Sequence, residues 1–170
     1  MDFFDVIKKR ASTRSFKERM VSDDQVEQLL KAANSAPSAG NLQSYRILVI
    51  KNDDLKDKLV EAAHGQKFIG QAPVNFAFLR DVERAKSKYG ERAELYSLQD
   101  GTIAATFLQL AAVDLGLGSC WVGSFIEDKV KELLDTTKKP LAIIPVGYPA
   151  QRSRTDSARR ELEEMVTFIE

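Results

Sequence analysis

Asp100-Gly-Thr-Ile-Ala-Ala-Thr-Phe-Leu-Gln-Leu-Ala-Ala-Val-Asp-Leu-Gly-Leu-Gly-Ser-Cys-Trp-Val-Gly-Ser-Phe125 is the stretch around which the chain is organised. From Thr102 to Leu115 it carries a single charge, Asp114, and its apolar residues fall on nearly every side of a helical wheel. That distribution predicts a helix buried all round at the centre of a core. It is too short and interrupted to cross a bilayer, which needs about 20 mostly apolar residues. Gly116 and Gly118 end it, because glycine enters the left-handed cap without steric cost. Ser119-Cys120-Trp121-Val122-Gly123 then offers backbone amides at the end of a rigid element, a usual place for a binding site.

Working outward, composition narrows the classes. The 170 residues suit one domain. With 25 basic and 25 acidic residues, no net field favours nucleic acid or an anionic membrane. The lone Cys120 forbids an intrachain disulfide, and Met1-Asp2-Phe3-Phe4-Asp5 meets charge too early for a signal peptide, so a cytoplasmic protein is expected. One Cys and one His exclude a dense metal cluster built from those ligands, and no metal site is expected. If the chain is an enzyme, a cofactor carries the difficult chemistry.

Before the central helix, Asp2 caps a first helix running to about Arg10, with Phe3, Phe4 and Ile7 on its apolar side. Arg10-Ala-Ser12-Thr-Arg14 is either a solvated basic turn or a phosphate site built from arginine forks and hydroxyls. Ser22 and Gln25 make a capping box with Val21 stapled onto Val26, and Val26, Leu29, Leu30 and Ala33 give a half-buried helix ending before Pro37. Pro37-Ser38-Ala-Gly-Asn41-Leu-Gln43 is either an ordinary turn or a carboxamide-bearing loop suited to the edge of a heterocycle.

Arg46–Lys51 and Val74–Leu79 read as buried strands, with a helix through Leu55, Leu59 and Ala62 between them. His64 reads as a helix-end residue, since no nucleophile elbow accompanies it. Residues 81–99 are highly charged around Tyr89 and Tyr96 and predict an exposed helix or mobile segment, with a lid as the alternative.

Beyond the centre, Val130, Leu133 and Leu134 mark a short helix, and Leu141–Tyr148 a third strand in which Pro145 suggests an edge or bulge. Pro149–Arg160 then holds nothing apolar larger than alanine and carries Arg152, Arg154, Arg159 and Arg160. The last run, Met165–Ile169, has strand character. A polar arm ending in an apolar strand is expected to reach the sheet edge of another subunit.

In this order, Arg10-x-Ser12-x-Arg14, Pro37-Ser38-Ala39-Gly40-Asn41-Leu42-Gln43, Gly116-Leu117-Gly118-Ser119-Cys120-Trp121-Val122-Gly123 and Pro145-Val146-Gly147-Tyr148-Pro149 resemble the FMN-dependent nitroreductase family over essentially the whole chain. The resemblance implies an α+β fold with a central mixed sheet flanked by helices. It implies a single domain over residues 1–170 in which about 149–170 form a C-terminal arm exchanged within an intertwined homodimer. It also implies FMN at the interface and ping-pong electron transfer from NADH or NADPH to a small electron-poor acceptor such as a nitroaromatic or quinone.

By residue, Arg10 and Ser12 resemble phosphate ligands, joined by Arg159 or Arg160. Pro37, Ser38, Asn41 and Gln43 resemble the partner subunit's flavin contacts. Trp121, Val122 and Gly123 resemble the backbone lining of the isoalloxazine, with one amide aimed at N5, and Arg14 the cation near N1 and O2. No catalytic side chain is implied. Cys120 reads as a small buried residue and Trp121 as core packing.

Ser44 departs from the proline many relatives place there, which predicts a looser turn. The compact chain and the paired arginines leave substrate class and phosphate partner open. A non-catalytic flavin module, and same-fold enzymes that dehalogenate or fragment flavin, are the alternatives.

Overall fold

The computed structural model describes residues 1–151 and 158–169, so Arg152 and Arg154 lie outside the described residues. Four strands, β1 (Tyr45–Ile50), β2 (Val74–Arg80), β3 (Gly118–Ser119) and β4 (Pro140–Gly147), form one sheet in the order β1-β2-β4-β3. Their pairings are all antiparallel, and parallel pairing enters only through the isolated bridge between Ser12 and Ser119.

Both faces of the sheet are covered, which is why its inner strands read as unbroken apolar runs. Side chains alternate across a strand. Val74, Phe76 and Phe78 of β2, with Ala142, Ile144 and Val146 of β4, pack against α2 (Asp23–Asn34) and α6 (Ala93–Asp114). Ala77 and Ile143 belong to a second cluster with Leu59 and Ala62 of α3 (Asp53–Ala62), Ile69 of α4 (Phe68–Gln71) and Val130 of α7 (Glu127–Leu133).

The local signals act as expected. Asp2 caps α1 (Phe3–Lys9), and Ser22 and Gln25 form both bonds of the capping box. Val21 and Val26 are buried in one cluster. His64 sits just past α3 with φ 57°.

Several expectations are corrected. The central helix begins at Ala93 rather than near Asp100, because Glu94, Leu95 and Leu98 continue the helix beneath a charged surface. The charged segment 81–99 is therefore α5 (Val82–Tyr89), a tight turn at Gly90–Arg92 and the first turns of α6. There Tyr89 and Tyr96 pack edge to face at 4.7 Å, so the segment is an ordered exposed helix rather than a mobile one.

Nor is α6 buried all round. Ala104, Ala105, Leu108 and Ala112 are buried in the core cluster with the sheet, while Leu98 is 39% and Phe107 38% exposed. One chain supplies layers for only part of the helix circumference. The same holds for α1, where Val6 is buried but Phe3 is 60%, Phe4 75% and Ile7 47% exposed.

Pro145 lies at neither an edge nor a bulge. β4 is flanked by β2 on one side and by residues 118–122 on the other, and the register shift falls at Phe78 and Leu79. The Pro145 carbonyl still accepts from the Cys120 amide, so its missing N–H does not interrupt the contact with that neighbour. Finally, Met165–Ile169 forms no strand among the described residues, and Phe168 and Ile169 stand 87% and 94% exposed.

Candidate functional site

The segment after α1 is extended and laid against the end of α6's outgoing chain. The Thr13 amide donates to the Ser119 carbonyl at 2.9 Å, Lys17 to Tyr148 at 2.8 Å and Ala150 to Ser15 at 3.0 Å. In an extended segment alternate residues share a face. Thr13 therefore turns inward and is buried, while Ser12 and Arg14 are exposed and Arg10 half-buried. A Cβ on Gly118 would collide with Thr13 and with Pro149, so only glycine lets the two segments approach this closely.

Residues 119–123 then run back along β4. The Val122 amide donates to the Ile143 carbonyl at 3.0 Å, and the Val122 carbonyl accepts from the Ile143 amide at 2.9 Å. Val122 is thus engaged at both backbone groups and cannot supply the amide expected to face N5. Among the described residues the amides of Trp121 and Gly123 carry no such bond, and Gly123 is exposed. The Trp121 ring packs partly buried against the core, as expected.

Burial pushes the Cys120 thiol up, against the opposing pull of the Arg14 and Arg10 charges and a hydrogen bond with Ser12. The net upward shift keeps it a thiol at neutral pH, which suits a packing residue and not a nucleophile. The Ser12–Ser119 bridge and the influence of Arg10, Ser12 and Arg14 on Cys120 place those three near the start of the segment that continues into Trp121, Val122 and Gly123.

Pro37, Ser38, Asn41 and Gln43 gather elsewhere, on the loop entering β1. The Ser38 hydroxyl accepts from the Gln43 amide N–H and from its Nε2, both at 3.0 Å, and Nε2 also donates to Asn41 Oδ1 at 2.6 Å. The Gln43 Oε1 and Asn41 Nδ2 are left for a ligand, one acceptor and one donor. Gly40, Asn41 and Gln43 have φ of 54°, 58° and 44°, an uncommon backbone for residues with side chains.

What holds this loop is a residue the sequence reading did not single out. Asp100 of α6, 2% exposed, accepts from the Ala39 amide at 2.8 Å, the Ser44 amide at 3.2 Å and the Ser44 hydroxyl at 2.5 Å. Ser44 is fully buried, so the turn is tied down rather than loose, correcting the expectation drawn from the missing proline. The available signal was the carboxylate itself, a charged residue opening an apolar helix.

The two groups occupy opposite corners of the sheet. β4 advances about 10 Å between Ile143, level with Val122, and Pro140, near the β2 end that pairs Tyr45, and about 20 Å from Val146, level with Ser119. Three inter-strand spacings, about 14 Å, also separate residues 119–122 from the β1 edge. Arg159 and Arg160 stand exposed on the C-terminal arm, and Arg160 lies 3.9 Å from the Met165 sulfur.

This geometry has counterparts among known proteins. The chain is 31% identical over 159 residues to the FMN reductase [NAD(P)H] of Bacillus subtilis, covering 84% of this chain and 64% of that protein, so it spans just under two thirds of that relative. Its structure matches the NfrA1 nitroreductase of B. subtilis with a TM-score of 0.90 at 27% identity, covering 98% of this chain and 73% of the other. It matches a nitroreductase family protein of Streptococcus pneumoniae TIGR4 with a TM-score of 0.89 at 25% identity, covering 99% of this chain and all of the other. The family model described as Nitroreductase family matches residues 7–67 and 62–148, and the chain belongs to the nitroreductase family.

Proposed function

We propose that this chain is an NAD(P)H-dependent flavin oxidoreductase that binds FMN between two copies of itself. The observation that carries the reading is the division of the site. One corner offers an anion-binding set and backbone amides, the other offers unsatisfied carboxamides, and one planar ring system cannot reach both within a single chain.

A two-fold pairing resolves this. The exposed apolar residues of α1 and α6 are ones a second copy would cover, since exposed apolar surface marks interaction sites. β1 is the long free edge of the sheet, and the exposed run Met165–Ile169 of a partner is suited to pair along it.

The residues fit the cofactor. Arg10, Ser12 and one of Arg159 or Arg160 would hold the phosphate, each charge-assisted hydrogen bond contributing about 1.5–3 kcal/mol. Trp121 and Gly123 would line the ring with their backbone, Gly123 supplying the amide toward N5. Pro37, Ser38, Asn41 and Gln43 of the second copy would meet its edge, the carboxamides matching adjacent C=O and N–H groups. Arg14 would set a permanent positive charge near N1 and O2.

Bound FMN supplies two-electron exchange, taken from NADH or NADPH and passed in a second half-reaction to a small electron-poor acceptor. The protein's own part is to orient the rings and exclude water, so no side chain need move a proton. The buried thiol of Cys120 suits a reducing compartment, and we place the enzyme in the cytoplasm. Among the described residues no helix is long and apolar enough to cross a membrane.

The test is direct. Purified protein is expected to be yellow and, mixed with NADPH without oxygen, to lose its visible flavin absorbance within seconds. A colourless preparation that takes up no added FMN would defeat the reading, and a yellow one that NADH and NADPH leave unbleached would reduce it to a flavin carrier.

A further inference from the structure

Both oxygens of the Asp100 carboxylate are engaged by backbone and hydroxyl donors. Oδ1 takes the Ala39 amide and Oδ2 takes the amide and hydroxyl of Ser44. Its side chain, on a residue 2% exposed, is held by these three donors. Buried polar oxygens that lack partners are costly, so these bonds also fix where the Asp100 side chain lies.

The Asp100 bonds grip the loop at its two ends, and between them the Arg84 side chain donates to the Leu42 carbonyl. Ala39 and Ser44 bracket Gly40, Asn41 and Gln43, the three left-handed positions. Non-glycine residues hold such backbone only when the surroundings over-determine it. Two of the three bonds come from Ser44, and a proline there would supply neither the N–H nor the hydroxyl. This chain therefore has a clamp that a proline at position 44 would preclude.

We propose that Asp100, through Ser44 and Ala39, is the positioning residue for the flavin-facing carboxamides of Asn41 and Gln43. It stands on the same helix as the exposed Leu98 and Phe107, so the same rigid element that would meet the partner copy also sets where the loop lies relative to the partner's ring. An asparagine at position 100 would keep one acceptor but turn an NH2 group toward donors, opposing the bonds at one oxygen. The inference rests on the functional reading above.

The experiment uses the holo-dimer. FMN dissociation on dilution is followed by flavin fluorescence for the wild type, Asp100→Asn and Ser44→Ala, with visible circular dichroism of the bound flavin and light scattering on each. Asp100→Asn is expected to weaken FMN binding about tenfold and Ser44→Ala about threefold. Both are expected to change the visible dichroism while remaining dimeric.

A wild type that retains FMN while both variants match it in affinity and dichroism overturns this inference alone. So does weakened binding that appears only together with loss of the dimer. A wild type that retains no FMN overturns the functional reading and this inference with it. Should Asp100→Asn fail to fold, Ser44→Ala decides by itself.

Discussion

Residues 118–123 and residues 37–43 sit at opposite corners of the sheet and are held by different means. The first run is fixed by main-chain bonds to its neighbours, Gly118 and Ser119 pairing with Gly147 and Val146 and Val122 with Ile143. Its geometry follows from the fold. The second closes on short-range main-chain turns of its own, and much of what ties it to the rest of the fold is side chain: the buried Asp100 carboxylate, Arg84 at the Leu42 carbonyl, and Ser44. Its geometry depends on a few polar groups, so single side-chain changes should move it.

In the proposed reading, joining the two regions takes the second copy, and that gives the largest expected effect. Deleting residues 161–170 removes the exposed run Met165–Ile169 and is expected to cost both the dimer and flavin retention, read by light scattering and visible absorbance. A stable yellow monomer would break the comparison, because one corner alone would then suffice for FMN.

The difference in anchoring can be probed with two glycines. At Gly118 a Cβ would lie 2.8 Å from Thr13 Cβ and 2.9 Å from Pro149 Cγ, in packed chain that cannot yield. Gly118→Val is expected to cost about 1–3 kcal/mol, a fall of several degrees in Tm by calorimetry. At Gly40 the obstruction is only the ends of the Lys88 and Tyr89 side chains, with φ 54° as the remaining strain. Gly40→Ala is expected to cost about 1 kcal/mol. Equal losses would remove the distinction between a rigid and an adjustable corner.

Acid should act on the second corner. The Asp81 amide donates to the Ser44 carbonyl at 3.0 Å, and its carboxylate is bonded by Lys138 at 2.6 Å and Arg46 at 3.5 Å. Burial alone would raise the Asp81 carboxyl, but hydrogen bonding and charge from Lys138, with a smaller share from Arg46, hold it below its ordinary value. A carboxyl depressed in the folded state contributes stability that is present above its unfolded pKa, about 3.9, and lost as pH falls through the folded value. Asp81→Asn is expected to lower stability at pH 7 by about 1–2 kcal/mol, with the gap to wild type closing below pH 4 in denaturant titrations. A gap independent of pH would show that the aspartate acts by shape and not by charge.

The smallest effect concerns tuning. Arg14→Ala is expected to lower the flavin midpoint potential by some tens of millivolts, since about 1.4 kcal/mol corresponds to roughly 30 mV for a two-electron couple. The fold should stay intact, because Arg14 is exposed and the segment is held by its backbone. An unchanged potential in a spectroelectrochemical titration would take Arg14 out of that role and leave the first corner a purely structural anchor.

Much of the architecture was legible locally. The capping box at Ser22, the cap at Asp2, the strands and the glycine stop after the central helix are properties of neighbouring residues, and short-range rules read them. The site residues were legible as chemical types at fixed spacings. What misled was surface charge. It hid the start of α6 at Ala93, because a helix can carry charge on a solvated turn and continue unbroken into apolar residues. The apolar count on α1 and α6 likewise predicted burial without saying which chain would supply the cover.

By itself, then, the sequence determined which elements form, which faces are apolar and which residues carry charge and amide groups, because these depend on composition and period. Only the tertiary structure decided that Val122 has no amide to offer, that the candidate site is split between two corners, and that a buried aspartate replaces a proline's stiffness at Ser44. Each of these depends on which distant segment lies within hydrogen-bonding reach, and contacts between residues 56 positions apart, as between Ser44 and Asp100, follow from packing rather than from any local pattern.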